Sequence, residues 1–293
     1  MTALSRRNPH PLALLPLFLG FIATCAVGFA AVSGEASAAK ISHAHTKGAG
    51  VIVHIVRSEL QSGPTEIHVL LPEKLDPTKK PAVVYLLPVE AGTSEYWGRA
   101  FADIQSAGLQ NRHGVICVYP TFAKLPWYAD HPTDAHLQQE KYFTQVVVPF
   151  VETNYHTLAA PRGRLLLGFS KSGWGAFTLL LRQPETFGRA PGWDAPFTMD
   201  GPTKYGMGEI LGTQANFERY RITTLLRERA GVLHGEMRLG VFGYDNFREH
   251  HVQLHALLDE LKIPHEYHDG PKRKHHWNSG WVHEALEFLV RQP

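Results

Sequence analysis

Two serines stand two residues apart in a glycine-rich segment, where a serine hydroxyl can act as a nucleophile. The segment reads LLLGFSKSGWGAF over residues 165–177, between an apolar run and a helix-compatible run. A sharp strand-to-helix turn would present the serine, but it requires small residues two positions before and after it. With Ser170 at the centre, those positions are Gly168 and Ser172, which are both small. With Ser172 at the centre, one of them would be Trp174. We therefore expect Ser170 to be the nucleophile.

A serine nucleophile needs a general base and a group that orients the base. After a serine in such a turn, the acid and then the histidine follow in the chain. Asp245 follows the apolar run LGVFGY, and His275 and His276 follow the last strand-like segment. Loops at the carboxyl ends of parallel strands meet at one edge of a sheet. We expect Asp245 to be the acid, with Asp194 in GWDAP as the alternative, and one of the two histidines to be the base.

The elements that must position these residues alternate between strand-like and helix-like segments. Residues 50–58 and 65–72 alternate apolar and polar positions, which is typical of half-buried antiparallel strands. Residues 81–88 and 114–120 are continuous apolar runs, which is typical of parallel strands buried on both faces. The pattern predicts an α/β fold, with a mostly parallel, doubly wound sheet and antiparallel N-terminal strands.

The N-terminal residues have the composition of an export signal. Two arginines precede a long apolar stretch, and the small-residue sequence ASA follows it at 36–38. The protein is then expected to be secreted or periplasmic, and to contact a membrane only if this segment is not cleaved. We predict three segments: a signal peptide or N-terminal anchor at 1–39, a linker at 40–49 and a single domain at 50–293.

The composition excludes some classes of function. The net charge of the 293 residues is +2, which is too small to indicate a nucleic-acid surface. Eighteen histidines raise the question of a metal site. His251 and His255 lie four residues apart on a predicted helix, but without the glutamate of a metallopeptidase helix. We predict no metal site and no organic cofactor; the oligomeric state is left open.

Four short motifs carry a resemblance to a known family. GFSKSGWGA resembles GHSMGGHGA, and YLLPV at 85–89 resembles YLLHG or YLLDG. GYD at 243–245 resembles an acid-bearing G-x-x-D, and HHWNSGW at 275–281 resembles H-x-W-x-x-W. On these motifs, the chain from about 50 to 290 resembles the putative-esterase family of α/β-hydrolases. That family includes the esterase D group, feruloyl and acetylxylan esterases and the mycobacterial antigen mycolyltransferases. The resemblance implies the α/β-hydrolase fold.

The resemblance also implies roles for single residues. H-x-W matches His275 and so selects it as the base. The oxyanion hole is expected to combine the backbone N–H of Lys171, next to the nucleophile, with one from the loop after YLL. Counting along the family pattern gives Glu90 for the second group, with Val89 as the alternative. The chain departs from the family here, because Pro88 and Val89 replace His-Gly or Asp-Gly.

Aromatic side chains near the same edge are candidates for substrate contact, namely Trp127, Tyr128 and Trp97. Together these residues predict an exported serine hydrolase that cleaves carboxylic esters through a Ser-His-Asp triad and an acyl-enzyme. The substrate would be a small-molecule or polymer-linked ester. An acyltransferase that uses the same triad, or a non-catalytic binding protein that retains the fold, is the alternative.

Overall fold

The computed structural model describes residues 39–291, in which ten strands form one sheet. The continuous apolar runs form buried strands, and the alternating segments form half-buried ones, as the sequence predicts. The strands are β1 (Lys40–Ile41), β2 (His45–Lys47), β3 (Val51–Arg57), β4 (Thr65–Leu70), β5 (Val83–Leu86), β6 (Ile116–Pro120), β7 (Arg164–Phe169), β8 (Ala190–Trp193), β9 (Leu239–Tyr244) and β10 (His265–Lys272).

The sheet is antiparallel at its N-terminal edge and parallel in the remainder. Its order is β1-β3-β4-β6-β5-β7-β8-β9-β10, and β2 also pairs with β3. Every pairing that involves β1 to β4 is antiparallel, and every pairing among β5 to β10 is parallel. This topology confirms the predicted α/β-hydrolase fold class, a mostly parallel doubly wound sheet with antiparallel N-terminal strands.

The predicted linker at 40–49 is wrong in part. Lys40–Ile41 and His45–Lys47 form β1 and β2, which both pair with β3. An unpaired edge of β3 would leave backbone N–H and C=O groups without partners. The two short strands provide hydrogen-bond partners for these groups. The predicted signal peptide lies outside the described residues, apart from its last residue.

Helices connect the parallel strands. A π-helical turn, Phe143–Val147, joins α3 to α4, and single 3₁₀ turns lie at Pro161–Gly163 and Ala230–Val232. Within residues 39–291, no helix is long and apolar enough to cross a membrane. The helices are α1 (Ala100–Ser106), α2 (Leu109–His113), α3 (Gln139–Tyr142), α4 (Val148–Asn154), α5 (Lys171–Arg182), α6 (Met207–Leu211), α7 (Gln214–Glu218), α8 (Ile222–Arg229), α9 (Arg248–Glu260) and α10 (Val282–Val290).

Apolar side chains cover both faces of the sheet. In β5, Val83 and Tyr85 belong to the cluster on one face, and Val84 and Leu86 belong to the cluster on the other. Helix α5 buries most of its length against β7 and β8. Because both faces are covered, the central strands need apolar residues at successive positions. This packing fixes the carboxyl ends of β5, β7, β8 and β9, whose loops bring the candidate residues together.

Candidate active site

Ser170 lies in a tight turn between β7 and α5. Its backbone torsions are φ 54° and ψ −130°, a conformation that side chains with a Cβ rarely adopt and that stores strain. Two glycines permit the close approach. A Cβ on Gly168 would lie 2.2 Å from the carbonyl oxygen of Ser172, and one on Gly173 would lie 2.7 Å from the Cβ of Ala195. The small-residue requirement therefore comes from the backbone of Ser172 and the side chain of Ala195, which lie close to the turn.

Ser172 replaces the second glycine of the usual motif, and it is fully buried. Its hydroxyl donates to the carbonyl oxygen of Phe169 at 2.9 Å and accepts from the N–H of Phe169 at 3.0 Å. Both hydrogen bonds hold the end of β7 against the start of α5. Ser172 therefore stabilises the turn that carries Ser170, and its hydroxyl is engaged with backbone rather than directed at a substrate.

His275 joins Ser170 to a buried carboxylate. Its Nε2 lies 2.9 Å from the Oγ of Ser170, and its Nδ1 lies 2.6 Å from the Oδ2 of Asp194. An ionised carboxylate can only accept hydrogen bonds, so Nδ1 carries the proton and Nε2 is free to accept one from the serine. This is the arrangement in which an imidazole can act as a general base toward a serine hydroxyl.

The contact that we expected from Asp245 is made by Asp194, which corrects the sequence-based prediction. Asp194 directly follows β8, the strand that is next to β7, and it adopts a φ of 40°. The carboxylate of Asp245, which follows β9, instead accepts the backbone N–H of His275 at 2.8 Å. Both loops reach the site, but only the one after β8 directs its carboxylate at the imidazole.

Asp194 is fully buried and is compensated by several hydrogen-bond donors. The backbone N–H groups of Asn246 and Phe247 donate to it at 3.0 and 2.7 Å. Burial alone would raise the pKa of Asp194. Hydrogen bonds from His275 and from the backbone of Asn246, Asp245 and Phe247 outweigh burial and lower this pKa below its ordinary value. The carboxylate is therefore ionised at neutral pH and can stabilise an imidazolium.

The two adjacent histidines have different surroundings. The ring of His275 is enclosed by aromatic side chains, with centroid distances of 5.0 Å to Trp97 and 4.8 Å to Phe169. The Nδ1 of His276 accepts the backbone N–H of Asn278 at 3.2 Å, within its own loop. Only His275 reaches the serine, in agreement with the H-x-W motif.

The loop after β5 and the start of α5 are tied together by side chains. The Oε1 of Glu90 accepts from the Nζ of Lys171 at 2.9 Å and from the indole N–H of Trp97 at 3.0 Å. The carbonyl of Pro88 accepts from the hydroxyl of Tyr128 at 2.6 Å. Within residues 39–291, the backbone N–H groups of Lys171 and Glu90 donate no hydrogen bond. Both groups are therefore available to another acceptor.

Two of the three aromatic residues that we expected to contact substrate are in the core. Trp127 is fully buried and packs edge-on against Trp174, with their ring centroids 5.5 Å apart. Tyr128 is also buried, against Gly175, and it fixes the carbonyl of Pro88. These predictions are wrong, because the loop after β6 folds its aromatic pair inward onto α5. Trp97 is half-buried beside His275, where a substrate could reach it.

His251 is a supporting residue that the sequence analysis missed. It is buried on α9, and its Nε2 accepts the backbone N–H of Ala195 at 2.8 Å. It therefore holds the loop immediately after Asp194. Burial lowers the pKa of His251 to about 4, so the ring is neutral at physiological pH. Leu254 and Leu258 follow His251 by three and seven residues, a spacing that places all three on one face of a helix. This pattern could have predicted from the sequence that His251 is buried.

Comparison with known proteins agrees with this fold. Residues 58–197 match the family model described as Putative esterase. A ferulic acid esterase structure is 18% identical, with a TM-score of 0.67, over 87% of this chain and 99% of that one. An S-formylglutathione hydrolase of Staphylococcus aureus is 16% identical, with a TM-score of 0.65, over 85% of this chain and 100% of that one.

A third similar structure is a fluorophosphonate-binding serine hydrolase of Staphylococcus aureus, determined with bound substrate. It is 16% identical, with a TM-score of 0.65, over 83% of this chain and 98% of that one. A search of curated protein sequences finds no significant match. At these identities the structural likeness concerns the fold, and the matched segment 58–197 contains Ser170 and Asp194. Residues 58–197 are thus similar to the putative-esterase family, and the chain has the fold of the α/β-hydrolase esterases.

Proposed function

We propose that this protein is an exported serine hydrolase that cleaves carboxylic esters with Ser170 as nucleophile, His275 as general base and Asp194 as the orienting acid. The observation that carries the proposal is the chain of two hydrogen bonds, 2.9 and 2.6 Å long, that joins these side chains. The strained turn at Ser170 supports it, because it has the features of a nucleophile elbow.

In the first half of the reaction, the Oγ of Ser170 attacks the acyl carbonyl while the Nε2 of His275 takes its proton. The tetrahedral intermediate then collapses as His275 returns that proton to the leaving alcohol, and an acyl-enzyme remains. In the second half, His275 takes a proton from water as the water attacks the acyl carbon. The acyl–Oγ bond then breaks as His275 returns the proton to the Oγ of Ser170, and the acid leaves. Asp194 keeps the proton on Nδ1 and stabilises the imidazolium in both halves.

The negative charge that develops on the carbonyl oxygen needs hydrogen-bond donors. Lys171 is the first residue of α5, a twelve-residue helix, so its backbone N–H lies at the end where the helix dipole favours negative charge. We assign the second donor to the backbone N–H of Glu90. The ion pair between the side chains of Lys171 and Glu90 would keep the two donors in register. Trp97, which is half-buried beside His275, would contact the substrate.

Export remains part of the proposal, on the composition of residues 1–39 alone. Cleavage after residue 38 or 39 would start the mature chain at β1 or one residue before it. N-terminal sequencing of the protein recovered from the producing cell's exterior tests this. A mature N-terminus near residue 40 is the expected result, and full-length protein retained in the cytoplasm would contradict it.

A fluorophosphonate probe tests the catalytic proposal. Wild-type protein should gain one adduct, which peptide mapping places on Ser170, and should hydrolyse para-nitrophenyl acetate. Ser170→Ala should lose both the adduct and turnover while unfolding at the same temperature. Ser172→Ala is the matched control, and it should still be labelled at Ser170. A folded wild type without adduct or turnover would instead indicate a non-catalytic binding protein, and labelling at Ser172 would refute the assignment.

A further inference from the structure

We propose that His255, Asp259 and His265 form a binding site for a divalent transition-metal ion such as Zn²⁺, apart from the ester-cleaving site. His255 and Asp259 lie one turn apart on α9, and His265 begins β10. One donor atom from each side chain lies within 4.8 Å of the other two. Neither the proposed ester chemistry nor the core packing accounts for this cluster.

The distances between the donor atoms suit a single ion. The Nδ1 of His255 lies 2.8 Å from the Nε2 of His265, which lies 3.9 Å from the Oδ1 of Asp259. A tetrahedral Zn²⁺ lies about 2.0–2.1 Å from each ligand and so separates two nitrogens by about 3.3 Å. The Oδ1 of Asp259, whose side chain is mostly exposed (64%), needs to come about half an ångström closer to His265, and the His pair needs to open by a similar amount. His255 can supply this movement, because a third of its side chain (34%) is exposed.

The hydrogen bonds around His265 prepare it as a ligand. Its Nδ1 lies 2.8 Å from the carbonyl oxygen of Ile263, and its side chain is only 5% exposed. A carbonyl can only accept, so Nδ1 carries the proton and the lone pair of Nε2 points into the cluster. Metal-binding histidines are commonly held in this way by a backbone carbonyl on the other ring nitrogen.

Two hydrogen-bond acceptors of the cluster face the same histidine. The Nε2 of His265 and the carboxylate of Asp259 both accept, and His255 lies between them, with its Nε2 3.6 Å from the Oδ2 of Asp259. A neutral His255 carries one proton and can serve only one of these two acceptors. A metal ion would bind both acceptors at once.

The donor set selects the class of ion. Imidazole nitrogens suit Zn²⁺, Cu²⁺ and Ni²⁺, whereas Ca²⁺ and Mg²⁺ prefer oxygen ligands. Three protein ligands leave a fourth position for water on the exposed side of Asp259. The ring of His255 stacks on Tyr267, with centroids 4.0 Å apart, which restricts its plane. The proposed ligands therefore lie on two elements, α9 and β10, whose positions are fixed by their packing in the fold.

Such an ion would fasten α9 to the start of β10. Helix α9 also carries His251, which holds the loop after Asp194. Strand β10 leads into the loop of His275. The expected role is structural support for both loops, and it does not depend on the proposed ester chemistry.

Titration of chelator-treated, tag-free protein with Zn²⁺ in a calorimeter tests this proposal. We expect one ion per chain and a rise of several degrees in the unfolding temperature. His255→Ala and His265→Ala should each weaken Zn²⁺ binding about tenfold or more. His268→Ala is the matched control, because this half-exposed histidine lies on the same strand but outside the cluster; it should bind as wild type does.

Each other result would overturn the proposal. Absence of binding at about 100 μM Zn²⁺ would show that the three side chains do not form a metal site. Equal binding by all variants, or loss only in His268→Ala, would place the ion elsewhere. A circular dichroism melt of each metal-free variant confirms that it is folded without relying on ester hydrolysis, so failure of the metal site is distinguishable from failure of the proposed function.

Discussion

The loops after β8 and β9 each bring one aspartate to His275, and the two carboxylates act on different parts of it. Asp194, after β8, is fully buried and lies 2.6 Å from the imidazole Nδ1. Asp245, after β9, has 26% of its side chain exposed and accepts the backbone N–H of His275 at 2.8 Å. One carboxylate orients the ring, and the other orients the segment that carries the ring.

The difference shows that burial and donors, rather than residue type, decide which aspartate can serve the histidine. A buried carboxylate is stable only where hydrogen-bond donors replace water. Asn246 and Phe247 supply those donors to Asp194, and both belong to the loop of Asp245. The low dielectric around Asp194 strengthens its interaction with His275. Asp245 retains contact with water, which weakens its influence on charge at the ring.

Asp194→Asn should produce the largest effect. An asparagine cannot hold the Nδ1 proton as a carboxylate does and favours the wrong tautomer of His275. We expect kcat for para-nitrophenyl acetate to fall by about 10⁴-fold. A circular dichroism melt checks that the variant is folded. A folded Asp194→Asn enzyme that loses less than tenfold would break the distinction between the two loops.

His251→Gln should change the pH dependence of stability, because His251 supports the loop after β8. Its pKa is about 4 when buried, against 6.5 in the unfolded chain, so the unfolded state binds more protons between these values. The stability that His251 contributes is complete above pH 6.5 and is lost as pH falls toward 4. The loss is on the order of 3 kcal/mol.

Urea unfolding between pH 7 and 4 measures this loss. Wild type should lose about 3 kcal/mol more than His251→Gln, because glutamine accepts the N–H of Ala195 without titrating. The exposed His234→Gln variant serves as the control and should follow wild type. Parallel curves for wild type and His251→Gln would show that the support under Asp194 does not depend on a neutral histidine.

Asp245→Asn should have a smaller effect than Asp194→Asn. Its side-chain oxygen can still accept the backbone N–H of His275, so kcat should fall less than tenfold. Asp245→Ala removes that acceptor, and one hydrogen bond to a charged group corresponds to about tenfold or somewhat more. The same ester assay measures both. If Asp245→Asn is as impaired as Asp194→Asn, the assignment of the two loops is reversed.

Lys272→Met should have the smallest effect. Its Nζ lies 3.8 Å from the Oδ1 of Asp245, and 65% of the lysine side chain is exposed. Such surface pairs contribute about 0–1 kcal/mol. We expect kcat within about twofold of wild type at both low and high salt. A tenfold loss would mean that Asp245 depends on its charge partner, and so acts electrostatically on the site.

The sequence predicted the fold and two of the three residues in the hydrogen-bonded chain. Ser170 followed from the size of its neighbours, a local steric rule that the structure explains through the close crossing at Gly168. His275 followed from its motif. The strands followed from their apolar runs, because a sheet covered on both faces leaves a strong pattern.

The acid could not be predicted in the same way. Asp194 and Asp245 both follow a parallel strand, and the choice depends on which loop is buried under the other, which is a tertiary property. The inward orientation of Trp127 and Tyr128 could not be predicted for the same reason. An aromatic pair in a loop has the same sequence pattern whether it faces a substrate or packs against α5. A sequence shows residue type and spacing, whereas burial arises from packing between distant segments.

The most direct test of the account is the low-field proton NMR signal of the His275 imidazole in protein with ¹⁵N-labelled histidine. Loss of one signal in His275→Gln would assign the Nδ1 proton. The account predicts that this signal is present in wild type and in Asp245→Asn, and that it disappears or moves upfield in Asp194→Asn. A signal that survives in Asp194→Asn and is lost in Asp245→Asn would contradict the central claim.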